Sequence, residues 1–388
     1  MSDTYNKIYF NPQSEKKLHI VNTCLSFVYK FKKGKTTSSL NRDRLKHIMI
    51  LESHLIGDLV MALPAYRAIR KKFPDVELIF WGNQWGKDLL EDQRLFDRFY
   101  ITRTPWARYD YSFGNIRQLF SQIRQLRKLK IDMALDFRGD IRNIFLLHLI
   151  KAKRVVGYDF TGGKYWLTDV VPPPENWHLI ERNLNVAKYI DAESKDGVPR
   201  LEVPQAKLQI AKEYFEKQGL NNIVFIHPGA SQPKRLWSSK RFAIITEYLQ
   251  KKGYSAVLLA GPNDESIVES IVDECNKRPE VLEVPLKEIS GYLACGEFFI
   301  GLDSGIAHIA AALGKNIIVL FGPQPPSIAC PRGYGRIIQI SKGDFDCRPC
   351  NRRTCNCDCA CMKAIQVEDV ITAVEKIEIN EQISPEKQ

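Results

Sequence analysis

Charged and hydroxyl side chains stand directly after several of the apolar segments that the sequence predicts to be strands. Asp58 follows the segment His47–Leu51, and Ser231, Lys234 and Arg235 follow another. Arginine offers a fork of N–H donors and lysine a compact charge, so the second loop suits a diphosphate and can stabilise a leaving group that gains negative charge. The same residues also fit structural roles, with Asp58 as a helix cap and the Lys–Arg pair as a solvated surface pair.

A second set of polar residues follows two further apolar segments. Each part of the set opens a predicted helix, whose unpaired N–H groups favour an anion or a ribose. The carboxylates can accept hydrogen bonds from ribose hydroxyls or a base, although Asp264 is also placed to cap its helix and His308 to be a hydrogen-bonded structural residue. The candidate residues of this set are Asp264, Glu265, Asp303, Ser304, Gly305 and His308.

Cysteines are concentrated in one short segment. Six of the ten lie between Cys347 and Cys361, and this is not the distribution of a secreted disulfide framework. Six thiolates are more than a four-coordinate metal requires. They all lie on one loop, whereas the usual zinc pattern places two pairs on separated turns. Because six cysteines within fifteen residues are a strong signal, we predict a structural metal site in preference to reduced thiols, and both iron and zinc fit the ligand type.

Strand-like segments alternate with helix-like segments along most of the chain, which predicts an α/β fold with parallel sheets. We expect a basic N-terminal extension over 1–45, a Rossmann-like acceptor domain over 46–190 and a Rossmann-like donor-nucleotide domain over 205–376 that includes the cysteine box 347–361. Two such domains face one another across a cleft in this prediction, and the candidate residues gather there. The predicted strands are His47–Leu51, Val76–Phe80, Ile131–Phe137, Arg154–Gly157, Ile223–His227, Ser255–Ala260, Phe298–Leu302, Asn316–Phe321 and Ile337–Ile340. The predicted helices are Leu59–Lys72, Ile116–Leu129, Phe242–Lys251, Glu265–Asn276, Ile306–Leu313 and Val367–Val374.

Length and composition are consistent with two cores. The chain has 388 residues, of which 44% are hydrophobic, and domains usually hold roughly 100–200 residues. The net charge of +11 favours anionic partners such as nucleotide phosphates, lipid headgroups or nucleic acid.

We expect a cytoplasmic protein, because no apolar run reaches the roughly 18 residues of a membrane span. A basic amphipathic helix is predicted between Leu18 and Phe31, either docked peripherally on an anionic membrane or packed on the protein's own core.

Taken in order, the motifs of this chain resemble those of glycosyltransferase family 9, the ADP-heptose:lipopolysaccharide heptosyltransferases. They are Gly-Asp after the first strand, His-Pro-Gly-Ala, a cation shortly before Trp237, Ala-Gly-Pro-x-Asp-Glu, Asp-Ser-Gly-x-x-His-x-Ala-Ala-Ala-Leu-Gly and Leu-Phe-Gly-Pro. The resemblance extends from Lys46 to Val374, and several motifs in one order are more specific than any one alone. It implies a GT-B fold and an inverting transfer that needs no metal or other cofactor for catalysis.

The resemblance also implies roles for individual residues. Asp58 matches the catalytic base and Ser231 a hydroxyl near the donor phosphates. Arg235 stands two residues before Trp237, where the family usually has lysine, so either Arg235 or the adjacent Lys234 contacts the diphosphate. The implied acidic ribose contact is either Asp264 or Glu265, and the implied phosphate-proximal helix start comprises Asp303, Ser304, Gly305 and His308.

Two features depart from the family pattern. The approach from Ser53 to Gly57 has one residue more than the family's tightest form, which implies a difference in acceptor positioning. The cysteine box resembles that of a subset, the autotransporter heptosyltransferases, which use such a box to bind iron. The cysteines that match relatives are Cys347, Cys350, Cys355 and Cys361, and Cys357 and Cys359 are additional.

The function implied is transfer of a sugar, by resemblance a heptose from ADP-heptose, to a lipopolysaccharide core acceptor. The alternative acceptor is a protein serine, as in an autotransporter. A different class of function is a nucleic-acid-binding zinc protein, but the basic residues are spread along the chain rather than massed beside the cysteine box, so we expect no nucleic-acid partner. A sugar-nucleotide-binding protein without catalysis is disfavoured because Asp58 is retained.

Overall fold

The computed structural model describes residues 45–102, 104, 112–350, 352 and 354–383, together with Asn22. Apart from Asn22, the predicted amphipathic helix between Leu18 and Phe31 lies outside the described residues. None of the described helices is long and apolar enough to span a bilayer. The chain divides into two compact units, Met1–Gly197 and Val198–Gln388, here called unit 1 and unit 2.

Unit 1 is built on a six-stranded parallel sheet. Its strands are β1 His47–Glu52, β2 Glu77–Gly82, β3 Arg98–Ile101, β4 Met133–Asp136, β5 Arg154–Gly157 and β6 Asp169–Val170. Its helices are α1 Ile56–Lys72, α2 Gln84–Leu90, α3 Phe113–Lys128, α4 Ile141–Leu149 and α5 Leu179–Tyr189. The sheet order is β3-β2-β1-β4-β5-β6, and the inner strands are almost continuously apolar because helices cover both faces of such a sheet.

Unit 2 repeats this architecture. Its strands are β7 Ile223–His227, β8 Ser255–Leu259, β9 Glu280–Leu282, β10 Phe298–Leu302, β11 Asn316–Leu320 and β12 Ile337–Ile340. Its helices are α6 Gln205–Lys217, α7 Ser239–Lys251, α8 Glu265–Glu274, α9 Ile289–Ala294, α10 Gly305–Ala312, α11 Pro326–Ala329, α12 Ala360–Lys363 and α13 Val367–Ile383. A core of buried apolar side chains joins β7, β8, β10 and β11 to α7 and α13.

The two sheets share one strand order. In unit 2 the order is β12-β11-β10-β7-β8-β9, which is the order of unit 1 read from the other edge. Chain order reverses between β1 and β4 in unit 1 and between β7 and β10 in unit 2, as in doubly wound nucleotide-binding folds. Ligands of such folds bind beyond the carboxyl ends of the strands at this switch point. The loops after these four strands are therefore where a ligand-binding site is expected.

Four predicted strands have the observed bounds, namely Arg154–Gly157, Ile223–His227, Phe298–Leu302 and Ile337–Ile340. Other elements differ from the prediction. The helix α1 begins at Ile56 rather than Leu59, so Asp58 lies within its first turn. The helix α13 continues past Val374, because Ile377 remains buried on the same face. The helix α4 was not predicted, although its buried residues Ile141, Ile144 and Leu147 recur at helical spacing.

Candidate functional site

In unit 1, the carboxylate of Asp58 lies at the switch point of the sheet. It accepts a hydrogen bond from the Leu55 N–H at 3.3 Å and another from the Arg138 guanidinium at 3.2 Å. Asp58 is the third residue of α1, after β1, and Arg138 follows β4, its neighbour in the sheet. The Asp58 carboxylate therefore pairs with a backbone N–H at the helix start, although Asp58 is the third residue of the helix and not its N-cap residue.

Arg138 also decides the charge of Asp58. Burial disfavours the charged carboxylate, but the positive charge of Arg138, with smaller contributions from His54 and Arg182, holds the pKa of Asp58 below its ordinary value. The side chains of Arg138 and Asp58 are only 20% and 16% exposed, so water screens the pair weakly. Asp58 is consequently an ionised carboxylate at neutral pH, able to accept a proton.

The loop between β1 and α1 is held by contacts from its neighbours. Its His54 ring pairs with the buried carboxylate of Glu52, and the His54 carbonyl accepts a hydrogen bond from the Trp85 indole at 2.6 Å. The carbonyl of Ser53 accepts from the Asn83 side chain at 2.7 Å. The predicted acceptor residues Ser53 and Gly57 are both buried, so they shape the backbone approach to Asp58.

A buried acidic group supports the loop that carries Arg138. The Asp136 carboxylate accepts from the Gly139 N–H at 2.6 Å and from the Asn143 amide at 3.3 Å, and burial raises the pKa of Asp136 to about 7. Asp140 caps α4 by accepting from the Arg142 N–H at 2.9 Å. Sequence reasoning missed Asp136, which ends the buried strand β4, and Arg138, which follows that strand.

In unit 2, Arg235 and Asp303 form an ion pair beside the switch point. Arg235 ends the short 3-10 turn Pro233–Arg235, and its guanidinium donates to the Asp303 carboxylate at 2.9 Å. The Arg235 Nε–H is buried and has no hydrogen-bond partner within the described part of the chain. Because a guanidinium carries five donors in a planar fork, Arg235 retains donors for a ligand.

His227, the last residue of β7, joins the ends of three strands. Its Nδ1 lies 3.2 Å from the Ser304 hydroxyl and its Nε2 lies 3.3 Å from the Asp264 carboxylate. Asp264 also accepts from the Gly261 N–H at 3.0 Å. The hydrogen bond from His227 holds the pKa of Asp264 below its ordinary value. Asp264 occupies the N-cap position of α8, but no hydrogen bond from its side chain caps the helix.

The glycine of the His-Pro-Gly-Ala motif permits this packing. A Cβ atom at Gly229 would lie 2.3 Å from the Asp264 carboxylate, and one at Gly261 would lie 2.8 Å from it. Such separations are far below van der Waals contact, so any side chain at Gly229 would displace Asp264. The motif thus brings the backbone after β7 close to a carboxylate from the loop after β8.

The other predicted donor residues of unit 2 occupy different environments. Ser231 and Glu265 are exposed, and Gly305 is the first residue of α10. His308 is buried within α10. Together with Asp264, Asp303, Ser304 and Arg235, these residues lie on the loops and helix starts that follow β7, β8 and β10.

The side chains of Lys234 and its neighbour Arg235 point in different directions. The Lys234 side chain is buried, and its ammonium donates to the Cys350 carbonyl at 2.8 Å and to the Arg352 carbonyl. Adjacent residues of a 3-10 turn project in different directions, because a turn contains about three residues. Arg235 reaches the strand ends, whereas Lys234 fastens the cysteine box to the turn.

The cysteine box packs partly into the core of unit 2. Cys350 and Cys361 are buried, Cys361 as a member of the core on α12. The Cys355 thiol accepts from the Cys359 N–H at 3.2 Å. Among the described residues, no group of three or more His, Cys, Asp or Glu side chains has an arrangement that could hold a metal ion. Binding of iron or zinc by Cys347, Cys350, Cys355 and Cys361 therefore stays a prediction.

Comparison with known proteins identifies the family. The family model described as glycosyltransferase family 9 (heptosyltransferase) matches residues 119–361. The chain belongs to glycosyltransferase family 9. Lipopolysaccharide heptosyltransferase 3 of Escherichia coli is 25% identical over 332 residues, which cover 83% of this chain and 96% of that protein. Membership of family 9 confirms that the protein is a glycosyltransferase enzyme.

Solved structures of a family 9 glycosyltransferase and of a heptosyltransferase share the fold. The family 9 glycosyltransferase of Veillonella parvula has a TM-score of 0.73 at 19% identity, covering 89% of this chain and all of that one. The ADP-heptose LPS heptosyltransferase II of E. coli has a TM-score of 0.71 at 17% identity, covering 87% of this chain and all of that one. The predicted α/β GT-B fold class is confirmed, and the predicted cleft between two domains stays a prediction.

Proposed function

We propose that this family 9 glycosyltransferase transfers a heptose from ADP-heptose to the core of lipopolysaccharide, by a single displacement that inverts the anomeric configuration. The observation that carries the proposal is the ionised Asp58 carboxylate, held by Arg138 at the switch point of unit 1. The relatives support the choice of sugar and acceptor, since several are lipopolysaccharide or lipooligosaccharide heptosyltransferases. In this proposal the enzyme acts at the cytoplasmic face of the membrane that carries the lipopolysaccharide acceptor.

Asp58 serves as the general base. Its carboxylate takes the proton of the acceptor hydroxyl while the hydroxyl oxygen forms a bond to the anomeric carbon of the donor. The bond from that carbon to the diphosphate oxygen breaks at the same step, and the electron pair leaves with the nucleotide diphosphate. Arg138 keeps Asp58 ionised before the reaction and orients its carboxylate, since it contacts one carboxylate oxygen at 3.2 Å.

Unit 2 binds the nucleotide diphosphate in this proposal. Arg235 is the principal cation, because its guanidinium is partly exposed beside Asp303, whereas the Lys234 side chain is buried and its ammonium is occupied by carbonyls of the cysteine box. The start of α10 at Ser304 and Gly305 offers N–H groups to the same phosphates, and the exposed Ser231 hydroxyl adds a donor. These groups stabilise the developing charge without a divalent metal ion.

The nucleoside lies near the strand ends that His227 joins. Asp264 and Glu265 accept hydrogen bonds from the ribose hydroxyls, with Asp264 held in place by His227 and by the Gly261 N–H. Asp303 orients Arg235 through their 2.9 Å contact. His308, which is buried, supports the first turns of α10 rather than contacting the donor.

The test combines a donor panel with a base variant. Purified protein is incubated with ADP-, UDP- and GDP-sugars and with two acceptors, lipopolysaccharide lacking its outer heptose and an unmodified autotransporter fragment. We expect transfer from ADP-heptose to lipopolysaccharide. The substitution Asp58→Asn should lower turnover by at least about 100-fold with donor affinity unchanged, the scale of losing a general base. Asp75→Asn, an exposed carboxylate just after α1, is the matched control.

Each part of the proposal has its own contradicting result. Preference for a UDP- or GDP-sugar would refute the donor, and transfer to the autotransporter fragment alone would refute the acceptor. Near-normal turnover by Asp58→Asn would refute the base.

A further inference from the structure

The outward face of α3 exposes two large aromatic side chains. Phe113 is 81% exposed and Phe120 is 59% exposed. They stand seven residues apart, so they lie on the same face of the helix, two turns from one another. The opposite face carries Leu119, Ile123 and Leu126, which are buried and fasten the helix to unit 1. The two rings are therefore exposed on a helix whose other face is packed against unit 1.

Cations accompany the two aromatic rings. Arg117 and Arg124 each follow a phenylalanine by four residues, which places them on the same face, and both are exposed. The helix sequence contains four cations, Arg117, Arg124, Arg127 and Lys128, and not one acidic residue. Within the described ranges, no carboxylate pairs with Arg117, Arg124 or Lys128. The face therefore combines unshielded positive charge with apolar surface.

We propose that this face of α3 docks the enzyme on a membrane surface that contains anionic lipids. Aromatic rings can bury themselves at the boundary between headgroups and acyl chains while the flanking arginines remain among anionic headgroups. Arg117, Arg124 and Lys128 lie on the face of the two rings and can reach the surface together, whereas the Arg127 guanidinium donates to the Leu149 carbonyl. This contact needs neither donor nor acceptor, and it can be tested separately from the proposed transfer reaction.

The charge of the face argues against two other occupants. A second copy docked through the same face would bring cations against cations, because a two-fold interface is self-complementary. Single-stranded nucleic acid binds in positively charged grooves that track its backbone, whereas Phe113 and Phe120 stand on the convex surface of a helix. An anionic bilayer accepts both the charge and the rings.

The helix α7 of unit 2 provides a matched control. It also exposes a large apolar side chain, Ile244, which is 50% exposed. Its cation Lys240 lies 3.6 Å from the carboxylate of Glu274, and Glu247 stands on the same face as Lys251 and Ile244. This face carries both signs of charge, so we expect it to contribute little to binding of an anionic surface.

The experiment is flotation of the full-length protein with vesicles of phosphatidylcholine alone or mixed with phosphatidylglycerol. The wild type should float with the anionic vesicles, less so as salt is raised. Arg117→Gln with Arg124→Gln should lower binding to anionic vesicles by about 30-fold, the effect of two surface cations. Phe113→Ser with Phe120→Ser should lower it by at least about tenfold. Ile244→Ser with Lys251→Gln should bind as the wild type does.

Several results would overturn the proposal. One is wild-type protein that does not float with anionic vesicles, and another is an equal loss in the α7 control. A dimer that dissociates in the phenylalanine variant, seen by sedimentation in the absence of vesicle binding, would assign the face to a second copy. Binding of single-stranded RNA that competes fully with the vesicles would assign it to nucleic acid. Melting curves of all variants establish that losses are not due to unfolding.

Discussion

The substitution Arg138→Gln tests whether the charge of Asp58 is set as the structure indicates. Loss of the guanidinium leaves burial, which opposes ionisation, as the largest influence on the carboxylate. The pKa of Asp58 should then rise, and the acidic limb of the pH profile of kcat/KM should move to higher pH. Above that limb the carboxylate is still ionised, so turnover there should fall much less than it does in Asp58→Asn.

The expected size follows from the geometry of the pair. Two unit charges 3.2 Å apart interact by about 5 kcal/mol at an effective dielectric constant of about 20. Residual exposure of both side chains and the solvation regained on separation reduce the observable effect. A guanidinium beside a carboxylate ordinarily lowers the carboxylate pKa by about 1–3 units. We therefore expect the acidic limb of the variant to lie about 1–3 pH units above that of the wild type.

The assay is the transfer rate at limiting acceptor over a pH series, with Arg142→Gln as the matched control. Arg142 pairs with Asp140 in the loop and helix next to Arg138, so its loss perturbs the same region without touching Asp58. A limb that stays at the wild-type pH in Arg138→Gln, or that moves equally in Arg142→Gln, would refute the reasoning. Either result would leave Asp58 without its assigned partner.

The same pair also predicts a change in stability with pH. In the wild type the pKa of Asp58 is lower in the folded than in the unfolded chain, so its ionisation stabilises the fold above the unfolded pKa. That contribution is lost as the pH falls through the folded pKa. The Tm of Arg138→Gln should therefore lie further below the wild-type Tm at pH 7 than under acidic conditions. An equal difference at both would contradict the linkage.

The remaining predictions concern the donor site and the cysteine box. Activity should survive EDTA, because Arg235 and a helix start stabilise the diphosphate. Arg235→Gln should raise the donor KM by about 10- to 100-fold with little change in Tm. Lys234→Met should leave the donor KM nearly unchanged but lower the free energy of unfolding by about 1–3 kcal/mol, because the carbonyls that accept from Lys234 lose their partner. Replacing Cys347 and Cys350 together by serine should lower Tm while donor affinity per folded molecule is kept, and metal analysis should show whether the wild type holds a metal that the variant loses.

Clear outcomes would contradict each of these. A requirement for added magnesium or manganese would contradict the metal-independent mechanism. A raised donor KM in Lys234→Met, with normal KM in Arg235→Gln, would reverse the roles of the two cations. An unchanged melting curve for the double cysteine variant, with less than about a tenth of an equivalent of metal per wild-type chain, would leave these cysteines as ordinary reduced thiols.

The sequence alone determined the alternation of strands and helices and most of the candidate residues. Apolar segments such as Ile223–His227 and Phe298–Leu302 end where glycine, proline or polar residues begin, so their bounds can be read from neighbouring residues. Asp303 could be found for the same reason, since it directly follows Phe298–Leu302. Asp58 could be found because it ends the short polar segment after the first strand. The edge strand Arg98–Ile101, whose residues are exposed or only partly buried, was missed.

Only the tertiary structure decided which side chains meet. Arg138 is 80 residues from Asp58, and they are brought together because their strands are adjacent in a sheet whose order cannot be read from local pattern. Lys234 and Arg235 are neighbours in sequence, yet the turn directs one to the cysteine box and the other to Asp303. The charge of a carboxylate and the reach of a cation depend on what surrounds them in space, and chain folding alone sets those surroundings.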